Sequence, residues 1–235
     1  MIQKKHPHRK KSKLLFIGAG LLGILAYLYV ASNYFQVRAV ECYTQYGNCP
    51  SEYLDALESA RGIALLKPLP SDAIKSKLGS HIEIKKIALY RRLPKTLVVS
   101  ISLRKPLGTV GTQVLGARAV SDEEGLIISQ SENSTLPFLL YEKDLSKGEM
   151  IDQSHVSSLK ILGEISQMTQ SPVSGKLENY DLTVFISDEQ KVLLNLQNIS
   201  PKWYNTLQVI LERSKILSKI PKMIDLRFSD PVLTF

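Results

Sequence analysis

Leu14–Phe35, LLFIGAGLLGILAYLYVASNYF, is 22 residues without a charged side chain. As a helix rising about 1.5 Å per residue it reaches about 33 Å, enough for a bilayer core of about 30 Å. The expectation is a single transmembrane helix over 14–34, because no second apolar run of that length follows. The competing reading is a cleavable signal peptide. Its apolar core runs about 7–15 residues and ends in an A-x-A-like site. Here the run is longer, and Val30-Ala31-Ser32 is a poor match to such a site.

The net charge of +8 acquires its meaning from where it lies. Lys4, Lys5, Arg9, Lys10, Lys11 and Lys13 precede the apolar stretch with no acidic residue among them. The other 24 basic residues face 22 acidic ones, which leaves +2 over the rest of the chain. A nearly neutral body lacks the footprint of a nucleic-acid binder. The basic block reads instead as a topology signal that keeps residues 1–13 in the cytoplasm and sends the 200 residues after Phe35 outside. Cys42 and Cys49 follow the stretch closely. They are either a disulfide closing a small loop or two free thiols.

The remainder divides at Pro106. Phe35–Glu41 alternates apolar and polar residues as a strand does. Pro50-Ser51 opens a short helix carrying Tyr53, Leu54, Leu57 and Ala60, and Ser71-Asp72 caps a second one with Ile74 and Leu78. Ile82–Tyr90 and Thr96–Leu103 are strands flanking the Arg91–Lys95 turn. The order strand, helix, helix, strand, strand points to an α+β module with both helices on one face of the sheet. After Pro106, hairpin signals surround Asp122–Gly125 and Ser187–Gln190, and apolar stripes predict helices over Asp152–Met168 and from Pro201 to Leu217. Met223–Phe228 alternates as a last strand. The second region is thus expected to be β-rich with two helices.

Catalytic constellations are missing. His6, His8, His81 and His155 have no metal-ligand spacing, and there is no G-x-S-x-G, phosphate loop or zinc motif. Acidic pairs such as Asp122 with Glu123 fall in turns, where a solvated carboxylate has no burial to raise its pKa. Neither a metal, a cofactor nor enzymatic activity is expected. A strand-rich domain with a free edge can instead accept a partner's strand through its main chain, and Ile224–Phe228 is either such an edge or an ordinary core strand.

The order of motifs resembles the bacterial cell-division family FtsQ/DivIB. Phe35-x-Val37-x-x-Val40 looks like the first strand of that family's POTRA domain. Arg91-Arg92-Leu93-Pro94-Lys95-Thr96-Leu97 looks like its turn, and Val99-x-Ile101-x-Leu103-Arg104-Lys105-Pro106 is similar to its closing "I-x-v-x-E-R-x-P". Ala119–Gly125 resembles the "lvDxxG" hairpin, Leu136-Pro137 the "lP" step, and Met223–Phe228 the terminal "iDLR[FY]" strand. A Cys42–Cys49 loop stands where the family has a glycine turn, and Leu103 replaces the family's Glu.

The resemblance implies a fold of α+β class. A cytoplasmic tail (1–13) and a single N-terminal transmembrane helix (14–34) precede a POTRA domain (35–105; β-α-α-β-β) and a β-rich C-terminal domain with two helices (106–235). It implies a single-pass type II protein of the cell membrane at the division septum, a non-enzymatic scaffold that positions other division proteins. Its partners would be the membrane, an FtsB/FtsL-type pair at the terminal strand, and other division proteins through the POTRA domain, with no nucleic acid. Ile224, Asp225, Leu226, Arg227 and Phe228 would form the contact, with Arg227 holding a partner carboxylate. A POTRA protein of export or surface assembly shares only residues 35–106 with this pattern. A type II membrane-anchored enzyme shares only the anchor.

Overall fold

In a computed structural model, residues 20–27, 29, 33–112 and 116–235 are described. The chain forms two compact units, residues 1–103 and 104–235.

The expected fold class and localisation are corrected at the N-terminal stretch. Among the described residues, no helix is long and apolar enough to cross a membrane. Residues 20–27 are helical. By Asn33–Phe35 the chain has tightened into a 3-10 turn. The Phe35 carbonyl there accepts from Leu65 N at 2.7 Å, and Gln36 bridges to Ala64. The end of the apolar stretch is therefore tied into the first unit's backbone. The single transmembrane helix and the single-pass cell-membrane placement are not carried forward. Residues 14–19, 28 and 30–32 of the stretch lie outside the described residues, as do the basic residues Lys4, Lys5, Arg9, Lys10, Lys11 and Lys13.

The first unit is a four-stranded sheet in the order β2-β1-β4-β3. β1 (Ala39–Thr44) pairs with β2 (Gly47–Asn48) and runs parallel to β4 (Thr96–Leu103), which is antiparallel to β3 (Ile84–Arg92). The first strand starts later than its alternation suggests, because Val37 N and Arg38 N bond to the loop carbonyls of Ile63 and Lys95. β3 is bulged between Ile84 and Lys86, where the sequence alternation breaks. Helices α1 (Ser51–Leu57) and α2 (Ser71–Leu78) bury Tyr53, Leu57, Ile74 and Leu78 in one core with Leu65, Leu97, Val99 and Ile101. Leu66 beside them is exposed. Neither helix has a side-chain N-cap: Pro50 and Pro70 hold those positions, and Ser71 is already helical. Cys42 and Cys49 are joined in a disulfide whose Cα atoms are 5.3 Å apart.

The second unit is a nine-stranded sheet in the order β13-β12-β11-β10-β9-β8-β5-β6-β7. Its strands are β5 (Pro106–Gly111), β6 (Arg118–Asp122), β7 (Ile127–Ser131), β8 (Phe138–Leu140), β9 (Ser174–Glu178), β10 (Asp181–Phe185), β11 (Lys191–Asn195), β12 (Met223–Asp225) and β13 (Val232–Thr234). Pro106 opens a strand here. The two long helices are crossovers. α3 (Gln153–Thr169) joins the parallel neighbours β8 and β9, and α4 (Trp203–Ile216) joins the parallel neighbours β11 and β12. Parallel pairing demands such a connection, which a two-residue turn cannot supply. Val156, Leu159, Leu162 and Ile165 of α3 and Leu207 of α4 pack into one core with Val110, Leu139, Leu182, Val184, Val192, Leu194 and Ile224. At the end of α4 the apolar stripe leaves the core: Ser214 is buried, but Leu217 is exposed.

Candidate partner interface

β12 carries Ile224 and Asp225 of the expected contact residues, and Leu226, Arg227 and Phe228 follow it. Its core-facing Ile224 is fully buried and sits in parallel register with Val192 of β11. The strand ends at Asp225, three residues earlier than the Met223–Phe228 alternation predicts. Leu226 N makes one further bond to Leu193 O at 2.9 Å, after which Arg227 N turns back to Asp225 Oδ1 at 3.0 Å. An Asp side chain that captures the backbone N–H two residues ahead forms an Asx turn. That turn draws Arg227 and Phe228 off the ladder.

Arg227 has its carboxylates within its own chain. Nε and Nη2 donate to Asp225 Oδ1 and Oδ2 at 3.0 and 2.7 Å, and Nη1 donates to Asp181 Oδ2 at 3.0 Å. Asn195 Nδ2 donates to the other oxygen of Asp181 at 2.6 Å. The hydrogen bonds from Arg227 hold the buried Asp225 carboxyl below its ordinary value, and those to Asp225 and then Asp181 push the guanidinium further up. Arg227 thus already holds two carboxylates of its own chain. The fork of an Arg suits a bidentate carboxylate, and Asp225 on the same turn supplies one.

Of the five expected contact residues, Ile224, Asp225 and Leu226 are buried, Arg227 is half-buried, and Phe228 is 61% exposed. β12 is also not the sheet edge. β13 covers it antiparallel, with Ile224 opposite Leu233 and Asp225 opposite Val232, and Lys222 N donates to Thr234 O at 2.7 Å. β13 is the edge, and all three of its residues are exposed. Phe235 beyond it is half-exposed, with Lys219 Nζ 4.5 Å from its ring centroid. This end of the sheet thus carries the exposed apolar side chains of Phe228, Val232, Leu233 and Phe235, with Val232 and Leu233 on opposite faces. Sequence alternation did not single out β13, because three residues are too few to establish a period.

A second ion pair explains another motif. Arg104 donates to Asp122 Oδ2 at 2.6 Å and to Glu124 Oε2 at 2.7 Å. Asp122 is buried, not solvated as its turn position suggests. Its Oδ1 accepts from Glu124 N and Leu126 N at 2.9 Å each. The side-chain bonds with Glu124 and Asp122 push the Arg104 guanidinium up.

Among the described residues, no group of three His, Cys, Asp or Glu side chains could hold a metal ion. No protein-family model matches the chain, and no curated protein matches it in sequence.

Proposed function

We propose that this chain is a non-enzymatic scaffold of the bacterial cell-division machinery, of the FtsQ/DivIB type, that positions other division proteins. The second unit would pair a strand of an FtsB/FtsL-type partner at the β12–β13 end of its sheet. The first unit would serve as the POTRA-type module for other division proteins. The observation that carries this reading is the end of the sheet at β12 and its short, exposed neighbour β13, flanked by the exposed apolar side chains of Phe228 and Phe235. Edge strands offer unpaired main-chain groups, and proteins ordinarily blunt them with charge or cover. An apolar edge left in place is therefore a candidate docking strip, with main-chain bonds supplying affinity and side chains supplying selectivity.

Phe228→Ala tests the site, since Phe228 projects from the turn and its loss removes no core contact. Capture of the host's purified FtsB/FtsL-type pair should weaken at least tenfold with an unchanged melting temperature. Unchanged capture overturns the site. Depletion of the protein should leave undivided cells, and normal division overturns the functional reading.

A further inference from the structure

β12 and β13 are held very differently. β12 is fixed from the core side by fully buried Ile224, on its other edge by β11, and at its end by Leu226 N bonding to Leu193 O. The Asp225–Arg227–Asp181 network then pins the chain as far as Arg227. None of those bonds involves β13. β13 has three residues, all exposed, and, among the described residues, β12 is its hydrogen-bonded neighbour in the sheet. Its supports are a three-residue register, the bond from Lys222 N to Thr234 O, and the Lys219–Phe235 ring contact. Segments with few buried contacts and exposed hydrogen bonds open locally without global unfolding.

We propose that β13 is a displaceable strap that fills, from within the chain, the β12 edge at which a partner strand pairs. The inference rests on the strand-pairing reading above and adds its regulation. Residues 228–231 form the hinge between the pinned turn and the strap. Once the strap leaves, β12 keeps β11, its buried Ile224 and its pinned end, and presents a preformed antiparallel acceptor. Cross-strand pairs share a face, and Leu233 stands opposite Ile224. The incoming strand therefore carries a large apolar residue at its central position, in the place of Leu233. The strap competes at the effective concentration of a tethered segment, in the millimolar range for short connections. It thereby weakens partners whose strands pair no better than its own.

Native-state hydrogen exchange on the full chain tests the strap without any partner. The Lys222 amide, bonded to Thr234 O, should exchange at least 100-fold faster than the Leu226 amide, bonded to Leu193 O on the far side of the same strand. Equal exchange of the two overturns the strap. Capture of the FtsB/FtsL-type pair is then compared between the full chain, a chain ending at Asp230, and Leu233→Gly, which loosens β13 at full length. The strap predicts at least tenfold tighter capture by the shortened chain and an intermediate gain for Leu233→Gly. Loss of capture on shortening, with the melting temperature retained, overturns the strap and makes β13 itself the docking edge. Capture by none of the three overturns the strand-pairing reading, while the exchange experiment still decides whether β13 opens.

Discussion

Arg227 meets Asp225 through two parallel bonds, Nη2 to Oδ2 at 2.7 Å and Nε to Oδ1 at 3.0 Å, across a turn of only two residues. The pair sets where β12 stops and which way the chain leaves it. Asp225 is the buried member, with 7% of its side chain exposed against 33% for Arg227. Loss of the guanidinium strands a carboxylate from which water is excluded, so Arg227→Ala should destabilise the second unit by about 2–3 kcal/mol. Arg227→Lys keeps the charge but not the fork and should recover only part of that. Urea denaturation of the two variants checks the order.

The same pair has a pH signature. The Asp225 carboxyl is held below its ordinary 3.8, first by the side-chain hydrogen bonds from Arg227. A depressed folded-state pKa contributes stability that is fully present above the unfolded value and is lost as pH falls through the folded one. The second unit should therefore lose stability below about pH 4. Asp225→Asn should flatten that part of the profile, as read from melting temperatures between pH 5 and pH 2.

His155 gives a second, separate window. It stands on the first turn of α3 against the Tyr141 ring, with centroids 4.7 Å apart, and Asp152 Oδ2 is 3.6 Å from Nδ1. Burial lowers its pKa, and the carboxylates of Asp152 and Glu142 only partly oppose that shift. The folded state thus prefers the neutral ring. The contribution is present above the unfolded value of 6.5 and is lost as pH falls from there through the folded pKa. Stability of the second unit should decline on going from pH 7.5 to pH 5. His155→Gln should remove that slope and leave the Asp225 window intact.

Periodicity made α3 and α4 legible, because each buries one face and exposes the other over many residues, and turn residues marked the Asp122–Gly125 hairpin. It failed where a side chain overrides the period. Asp225 ends β12 by capturing the Arg227 amide, a contact that alternation at Met223–Phe228 does not encode. Asp122 resembles any turn carboxylate until Arg104, 18 residues earlier, folds onto it. Sheet order is hidden for a similar reason. The parallel pairing of β8 with β9 and of β11 with β12 depends on which strands the helices cross to, and β13 shows only when its edge position is known. The segment Ile224–Phe228 was thus legible, but not which of its residues face outward.

In the first unit, Cys42 and Cys49 are both buried and close a loop with a sequence separation of 7. Loop-closure entropy for so short a ring is worth about 2–3 kcal/mol. Replacing both by Ser loses that constraint and puts two hydroxyls in the core with Tyr53 and Leu57. The double variant should lower the first unit's stability by at least about 2 kcal/mol, with the second unit unchanged. Replacing both by Ala should cost less than Ser, since it buries no polar group. Domain-resolved hydrogen exchange separates the two units.

Gly125 is the position where backbone and packing agree most closely. Its φ of +89° lies in the region that L side chains avoid. A Cβ there would meet Val156 Cγ2 at 2.8 Å and the Ile151 carbonyl oxygen at 3.0 Å. The Val156 methyl cannot swing away, because Val156 is fully buried and its branched side chain has one preferred rotamer in α3. The carbonyl is held too, since the Ile151 amide bonds to Gly125 O at 2.9 Å and Gly125 N to Asp122 O at 3.2 Å. Gly125→Ala therefore combines backbone strain with overpacking and should cost about 2–4 kcal/mol. Gly116, also at positive φ but with open space around its Cβ, is the control. Gly116→Ala carries the strain alone and should cost about 1 kcal/mol. Equal losses in the two thermal melts would show that crowding at Val156 contributes nothing.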